Sequence, residues 1–179
     1  PLALAGAIVY LIHHIIVKAN LFLVSGLIQQ TGGSFSLKTI GGLYKTNGLL
    51  ATGFIIPAFA LAGFPPLSGF WAKLLIIEAS LESHQYTLAL LSAAVGLLTI
   101  FSMIKIWSEA FWKPAPAEVH GLSSKRPLSP WMLVPVLSLA LVTVLLGLCM
   151  EPVIRFSMAA AGQLMDPQVY IEAVLGGRP

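Results

Sequence analysis

Four ionisable side chains interrupt otherwise apolar runs. His13, His14 and Lys18 lie in IVYLIHHIIVKANLFLVSG at 8–26, and Lys73 closes GFPPLSGFWAK at 63–73. A charged side chain at the centre of a bilayer costs about 2.5–3.5 kcal/mol on insertion scales, so such residues face a bundle interior or water. Imidazoles and amines take up and release protons, and the chemistry they suggest is a proton or ion pathway. Tyr10, His14 and Lys18 recur at i, i+4 and i+8 on one helix face, and Ser25 continues the line. His13 falls about 100° away, near the face of Asn20. Two plainer readings stand beside this one: a snorkelling lysine, and histidines that only hydrogen-bond between helices. Lys18 lies roughly ten residues from the end of its span, which makes snorkelling difficult.

Lys73 follows a break marked by Gly63, Pro65, Pro66 and Gly69. Two adjacent prolines remove two backbone donors, and such an interruption is tolerated at membrane depth only beside protein or water. The start of the following half-helix carries a partial positive charge, which together with desolvation disfavours an ammonium and lets the amine release its proton. Glu78, five residues on, is poorly placed to pair with Lys73 and belongs instead to a possible exit path. Glu82 reads as a solvated helix end. Ser92, Thr99, Ser102 and Lys105 trace a polar stripe along the next helix. Lys105 and Glu109 are spaced i, i+4 near its end, as a surface ion pair or a relay terminus. No nucleophile–base set, phosphate-binding glycine loop or zinc motif occurs. The neighbouring histidines diverge too far to share a metal, and the single cysteine, Cys149, excludes a cysteine cluster, so no cofactor is expected.

Hydrophobic residues make up 57% of the 179-residue chain and charged ones 9%. Soluble domains carry about 25% charged residues. The expected class is an all-α integral membrane bundle of about four spans, at 2–28, 48–81, 86–111 and 131–158, with a tail over 159–179. The 48–81 run exceeds the ~20 residues that cross ~30 Å of hydrocarbon, yet is too short for two spans and a loop; it reads as one crossing broken at GFPPLSG. The fourth span lacks charge until Glu151 and reads as scaffold. Residues 156–175 are weakly amphipathic, as in a helix lying on a membrane surface. Lys38 and Lys45 in the 29–47 loop, with Lys113, Lys125 and Arg126 in 112–130, place both loops in the cytoplasm. The 82–86 loop and the C-terminus then lie outside. The net charge of +3 lies mostly in loops and does not point to nucleic acid. The chain begins with Pro1 and enters a span at once, as a piece with an upstream part does.

YLIHHIIVKANLF at 10–22 and GLYKTNGLLATGFIIPAFALAGFPPLSGFWAK at 42–73 resemble the antiporter-like membrane subunits shared by respiratory complex I and the Mrp-type sodium/proton antiporters. HHIIVKANLFLVSGLI is most similar to the D-subunit branch of the Mrp type. The resemblance implies that these spans correspond to the last four of about fourteen family helices. It implies that Lys18 stands at the centre of a hydrophilic axis, with His14 one turn before it and Tyr10 where some relatives carry another histidine. It implies that Lys73 is the terminal ionisable residue of the broken helix, and that an earlier glutamate–lysine pair falls outside this chain. The implied function is proton translocation exchanged for Na+ within a multisubunit complex in the cell membrane, with other membrane subunits as partners. The alternatives are a proton-pumping subunit of a quinone oxidoreductase or membrane-bound hydrogenase, a purely structural subunit, and a self-contained transporter. The last is disfavoured by four spans without an internal repeat.

Overall fold

The computed structural model describes residues 1–114 and 128–176, so Lys125, Arg126 and Arg178 lie outside the described residues. Its centre is α1 (Leu2–Gly32), which buries Ala5, Gly6, Val9, His13, Val17, Asn20, Val24, Leu27 and Ile28. Those steps of mostly three and four residues make one inward stripe. The helix runs one turn beyond the expected end at 28 and stops where Gly33 turns left-handed, φ 74°, returning its N–H to Gln29 O. A short α2 (Leu43–Thr46) leads into α3 (Gly48–Ala62) and α4 (Ser68–Glu82), the two halves of the broken crossing. Next come α5 (Tyr86–Trp107), which runs into a π-helical turn (Ser108–Trp112), then α6 (Pro130–Leu148), α7 (Met150–Met165) and α8 (Pro167–Leu175). Every described element is helical, and three helices are long and apolar enough to cross a membrane: α1, α5 with its π turn, and α6. Around α1 pack α3, α4, α6 and α7, while α5 lies outside against α3 and α4 and buries only Ala89.

The break between α3 and α4 is closed by its own backbone. Gly63 adopts φ 92°, its N–H returns to Ala60 O and Phe59 O, and Phe64 N–H also reaches Phe59 O at 3.0 Å. This left-handed cap satisfies the last carbonyls of α3 in the way a glycine permits. On the far side Leu67 N–H bonds Phe64 O at 3.0 Å, and α4 starts directly afterwards.

One expected boundary is corrected. The apolar run at 131–158 is not one span: it divides at Cys149, and α7 begins at Met150. Pro152 has no N–H to give Leu148 O, so a continuous helix is interrupted there, whereas proline fits the first turn of a new one. The new helix turns its Met150, Ser157 and Ala161 face inward, packing Met150, Val153 and Ile154 against Val9 and Leu75. Its exposed side carries the Arg155–Glu151 ion pair at 2.6 Å. The expected tail is thus largely helical, with Asp166 Oδ1 accepting from Gln168 N–H at 3.1 Å to start α8.

A second correction concerns Glu109. It pairs with Lys113 at 2.7 Å, not with Lys105. The π turn over Ser108–Trp112 takes the helix out of α-helical register just past Lys105, and Lys113 also donates to Leu37 O at 2.7 Å. That lysine ties the end of α5 to the connection after α1, so these two lysine-bearing connections meet at one end of the bundle. Beside it Trp107 stacks on Phe111 with ring centroids 4.8 Å apart.

α6 approaches the break closely. A Cβ on Gly147 would collide with Pro66 O and with the Leu67 backbone at 2.7–2.8 Å, and Gly147 O accepts from Trp71 Nε1 at 2.9 Å. Overpacking of this kind costs about 1–3 kcal/mol. Gly147→Ala is therefore expected to lower the thermal midpoint and the membrane yield of the subunit, whereas Gly26→Ala, which meets nothing within 4 Å, leaves both unchanged. Size-exclusion and thermal-melt measurements on detergent extracts check this.

Candidate functional site

Lys73 lies in the second turn of α4, but its side chain does not stay there. Helical side chains lean towards the N-terminus, and this one crosses the break to donate from Nζ to Ala62 O at 2.7 Å. The sequence places Lys73 in the positive field of the start of α4. In the structure its amine instead meets the carbonyl end of α3. The correction follows from reach: the stem carries the charge away from the terminus its Cα belongs to. Gly63 makes room, since a Cβ there would stand 2.8 Å from Lys73 Cδ. A cleft of about 370 Å³ and another of about 320 Å³ open beside polar residues of the bundle, and Lys73, Ser92 and Gly96 line the smaller one.

His13, not His14, is the α1 residue that touches the break. It is 1% exposed, and its Nδ1 lies 2.8 Å from Ser68 Oγ in the first turn of α4. Its Nε2 is buried without a hydrogen-bond partner. A Cβ on Gly69 would come 2.8 Å from that Nε2 and would collide with Ala60 O, so the glycine lets the ring and both half-helices meet. Two turns along the same inward stripe Asn20 is fully buried, and both polar atoms of its amide are unpaired.

The Tyr10–His14–Lys18 face is real but points elsewhere. Tyr10 and His14 stack at 5.4 Å, and Tyr10 meets His13 edge-on at 6.2 Å. Lys18 is exposed on the surface of the described residues and lines the larger cleft with Ser25 and mostly apolar neighbours. Lys18 thus faces away from the other described helices. The inward stripe runs through Val17 and Asn20, and one residue of helix turns Lys18 about 100° off it. Lys18 and Lys73 line separate clefts.

The remaining expected residues are not gathered at the break. Glu78 and Glu82 are exposed on α4. Ser102 and Lys105 are exposed on α5, where Ser102 Oγ donates back to Leu98 O at 2.9 Å and Thr99 Oγ1 to Val95 O at 2.7 Å. Among the described residues no group of three or more His, Cys, Asp or Glu could hold a metal ion. Ser68 escaped the sequence reading. Its signal is weak, a lone hydroxyl between Pro66 and Gly69, and its importance appears only once His13 is seen to face it.

Residues 2–99 match the family described as NADH:quinone oxidoreductase/Mrp antiporter, TM. The chain is 45% identical over 174 residues to the D-subunit of the Na(+)/H(+) antiporter of Alkalihalophilus pseudofirmus, covering 97% of this chain and 35% of that protein. It thus spans about a third of the length of that relative. Among solved structures, a chain of the Mrp complex from Dietzia sp. superposes with a TM-score of 0.87 at 35% identity, over 97% of this chain and 40% of that one. A chain of respiratory complex I from Thermus thermophilus shares the fold at a TM-score of 0.68 and 22% identity, over 85% of this chain and 34% of its own.

Removing the Ser68 hydroxyl leaves a buried ring nitrogen without its partner, a loss of about 1–3 kcal/mol. In the full-length subunit Ser68→Ala is expected to lower the thermal midpoint of the purified complex. Thr52→Ala, which removes only an exposed hydroxyl bonded to Gly48 O, leaves it unchanged.

Proposed function

The chain belongs to the NADH:quinone oxidoreductase/Mrp antiporter membrane family, and from that premise we propose that it supplies the broken-helix end of a proton-translocating subunit in a multisubunit cation/proton antiporter. Partner membrane subunits complete the machine, and Na+ is the exchanged cation. The observation that carries the reading is the Lys73 amine docked at 2.7 Å on a carbonyl of an interrupted helix. A titratable amine and a backbone break are each costly at membrane depth, and in direct contact each relieves the other, as a proton site requires. The 45% identity to the D-subunit of a Na(+)/H(+) antiporter favours the Mrp branch.

In this scheme protons pass between the outer face of α1 and the break. Lys18 with Ser25, and the His14–Tyr10 stack, form the outer segment, which faces helices contributed by the remainder of a longer subunit. His13 and Ser68 link that face to α4, and Lys73 is the terminal site. Imidazole suits the middle position, because it accepts a proton at one nitrogen and releases one from the other. Charge on one site raises the cost of charging the next, so loading at one end drives release at the other. Gly63, Pro65, Pro66 and Gly69 keep the helix open for this exchange. Glu78, Ser102 and Lys105 lie on exposed faces and serve at most as surface steps towards either side. The positive-inside rule places the joined 29–47 and 112–130 connections in the cytoplasm, and 82–86 and the C-terminus outside.

A complex I-type subunit is the second reading, and the shared fold with the Thermus thermophilus chain favours it. There the same path would be driven by quinone chemistry elsewhere. A run of Mrp-type genes beside this one, as against quinone-oxidoreductase genes, separates the two.

Lys73→Ala in the full-length subunit, in an assembled complex, is expected to reduce proton-coupled cation exchange in everted vesicles at least tenfold and to abolish growth in high sodium. Lys18→Met is expected to do the same. Exchange at the wild-type rate from either assembled variant would leave only the structural-subunit reading.

A further inference from the structure

Gly96 on α5 has no polar side chain and no motif around it. α5 is the outermost of the packed helices, yet at this point it comes up against the break. A Cβ built on Gly96 would stand 3.2 Å from Lys73 Nζ and 3.4 Å from Ala62 O. A Cβ on Gly63 would stand 2.8 Å from Lys73 Cδ and 3.5 Å from its Nζ. The lysine thus lies in a slot lined by two glycines of different helices. At the closed end of the slot is the carbonyl that accepts its hydrogen bond, 2.7 Å away. The open side is the cleft lined by Ser92, Phe70 and Leu74, into which the side chain has room to swing.

We infer that Gly96 is the positioning residue that admits the Lys73 amine to its docked place on Ala62 O. This rests on the reading of Lys73 as a proton site, and it adds a determinant on α5, a helix on the outside of α3 and α4. The asymmetry of the neighbours decides what yields when the slot is narrowed. Ala62 O belongs to the backbone of a capped helix end and is held by its neighbours. The amine is the far end of a flexible chain. An added methyl at 96 therefore shifts the amine, and a branched side chain occupies its place and sends it into the cleft. The effect grows with side-chain size, and it acts only through Lys73.

The test uses the full-length subunit in its assembled complex. Gly96→Ala is expected to lower cation–proton exchange about twofold and Gly96→Val at least tenfold, with the complex still assembling. A double-mutant cycle on the thermal midpoint of the purified complex separates positioning from general packing. Gly96→Val is expected to lower the midpoint when Lys73 is present and to have no such effect in a Lys73→Ala background, where the slot is vacant. An equal drop in both backgrounds, or wild-type exchange by Gly96→Val, overturns the inference. The cycle reads stability rather than transport, so it is decided independently of Lys73→Ala: exchange surviving that single substitution defeats the proton-site reading, and an additive cycle defeats only the assignment of Gly96.

Discussion

A helix that stops inside hydrocarbon leaves its last carbonyls facing a medium with nothing to donate. The ends of α3 and α4 are organised around that constraint. Phe59 O and Ala60 O are met by the backbone of Gly63 and Phe64, and Ala62 O is met by Lys73. The first solution is static, built from a left-handed glycine. The second depends on a side chain that can leave. The break is therefore closed by one fixed clasp and one removable one, and the removable one is a titratable amine.

α1 is read twice by its surroundings. Its inward stripe holds Val9, Val17 and Val24 against the other helices and carries His13 and Asn20 among them, both with buried atoms that have no hydrogen-bond partner among the described residues. Its other face carries Tyr10, His14 and Lys18. Tyr10 joins the two, stacked on His14 and edge-on to His13. Buried polar groups left incomplete are expensive. Of the two, His13 lies at the helix interruption, against Ser68 and Gly69.

The parts of this architecture legible in the sequence are those encoded by local chemistry. Proline pairs and flanking glycines announce a break without help from the rest of the fold, and long apolar runs announce spans. What was not legible depends on which neighbour a face meets. His13 and His14 differ by about 100° of helix, and only the partner helices decide which of them is inside. Lys73 reads as tied to the helix that carries it, because sequence locates a Cα and not the end of a four-carbon stem. The division at Cys149 was hidden because the apolar run continues through Met150, although Pro152 marked it in principle. The π turn over Ser108–Trp112, past which Glu109 pairs with Lys113 and not Lys105, has no residue signature in the sequence.

On the reading of Lys73 as a proton site, the removable clasp would also govern how a proton leaves. While the amine is docked, Ala62 O is satisfied. When the amine swings into the cleft, the carbonyl is exposed to a low-dielectric surrounding and must find another donor, since an orphaned buried carbonyl costs about 1–3 kcal/mol. Water is the donor small enough to enter a cleft of about 320 Å³ from its open side. Movement of the lysine and wetting of the break are then two sides of one exchange. The water that replaces the amine on the carbonyl is also the medium into which the amine can release its proton. On the proposed reading, amine and water compete for the same carbonyl, so the site would need no separate gate at Ala62 O.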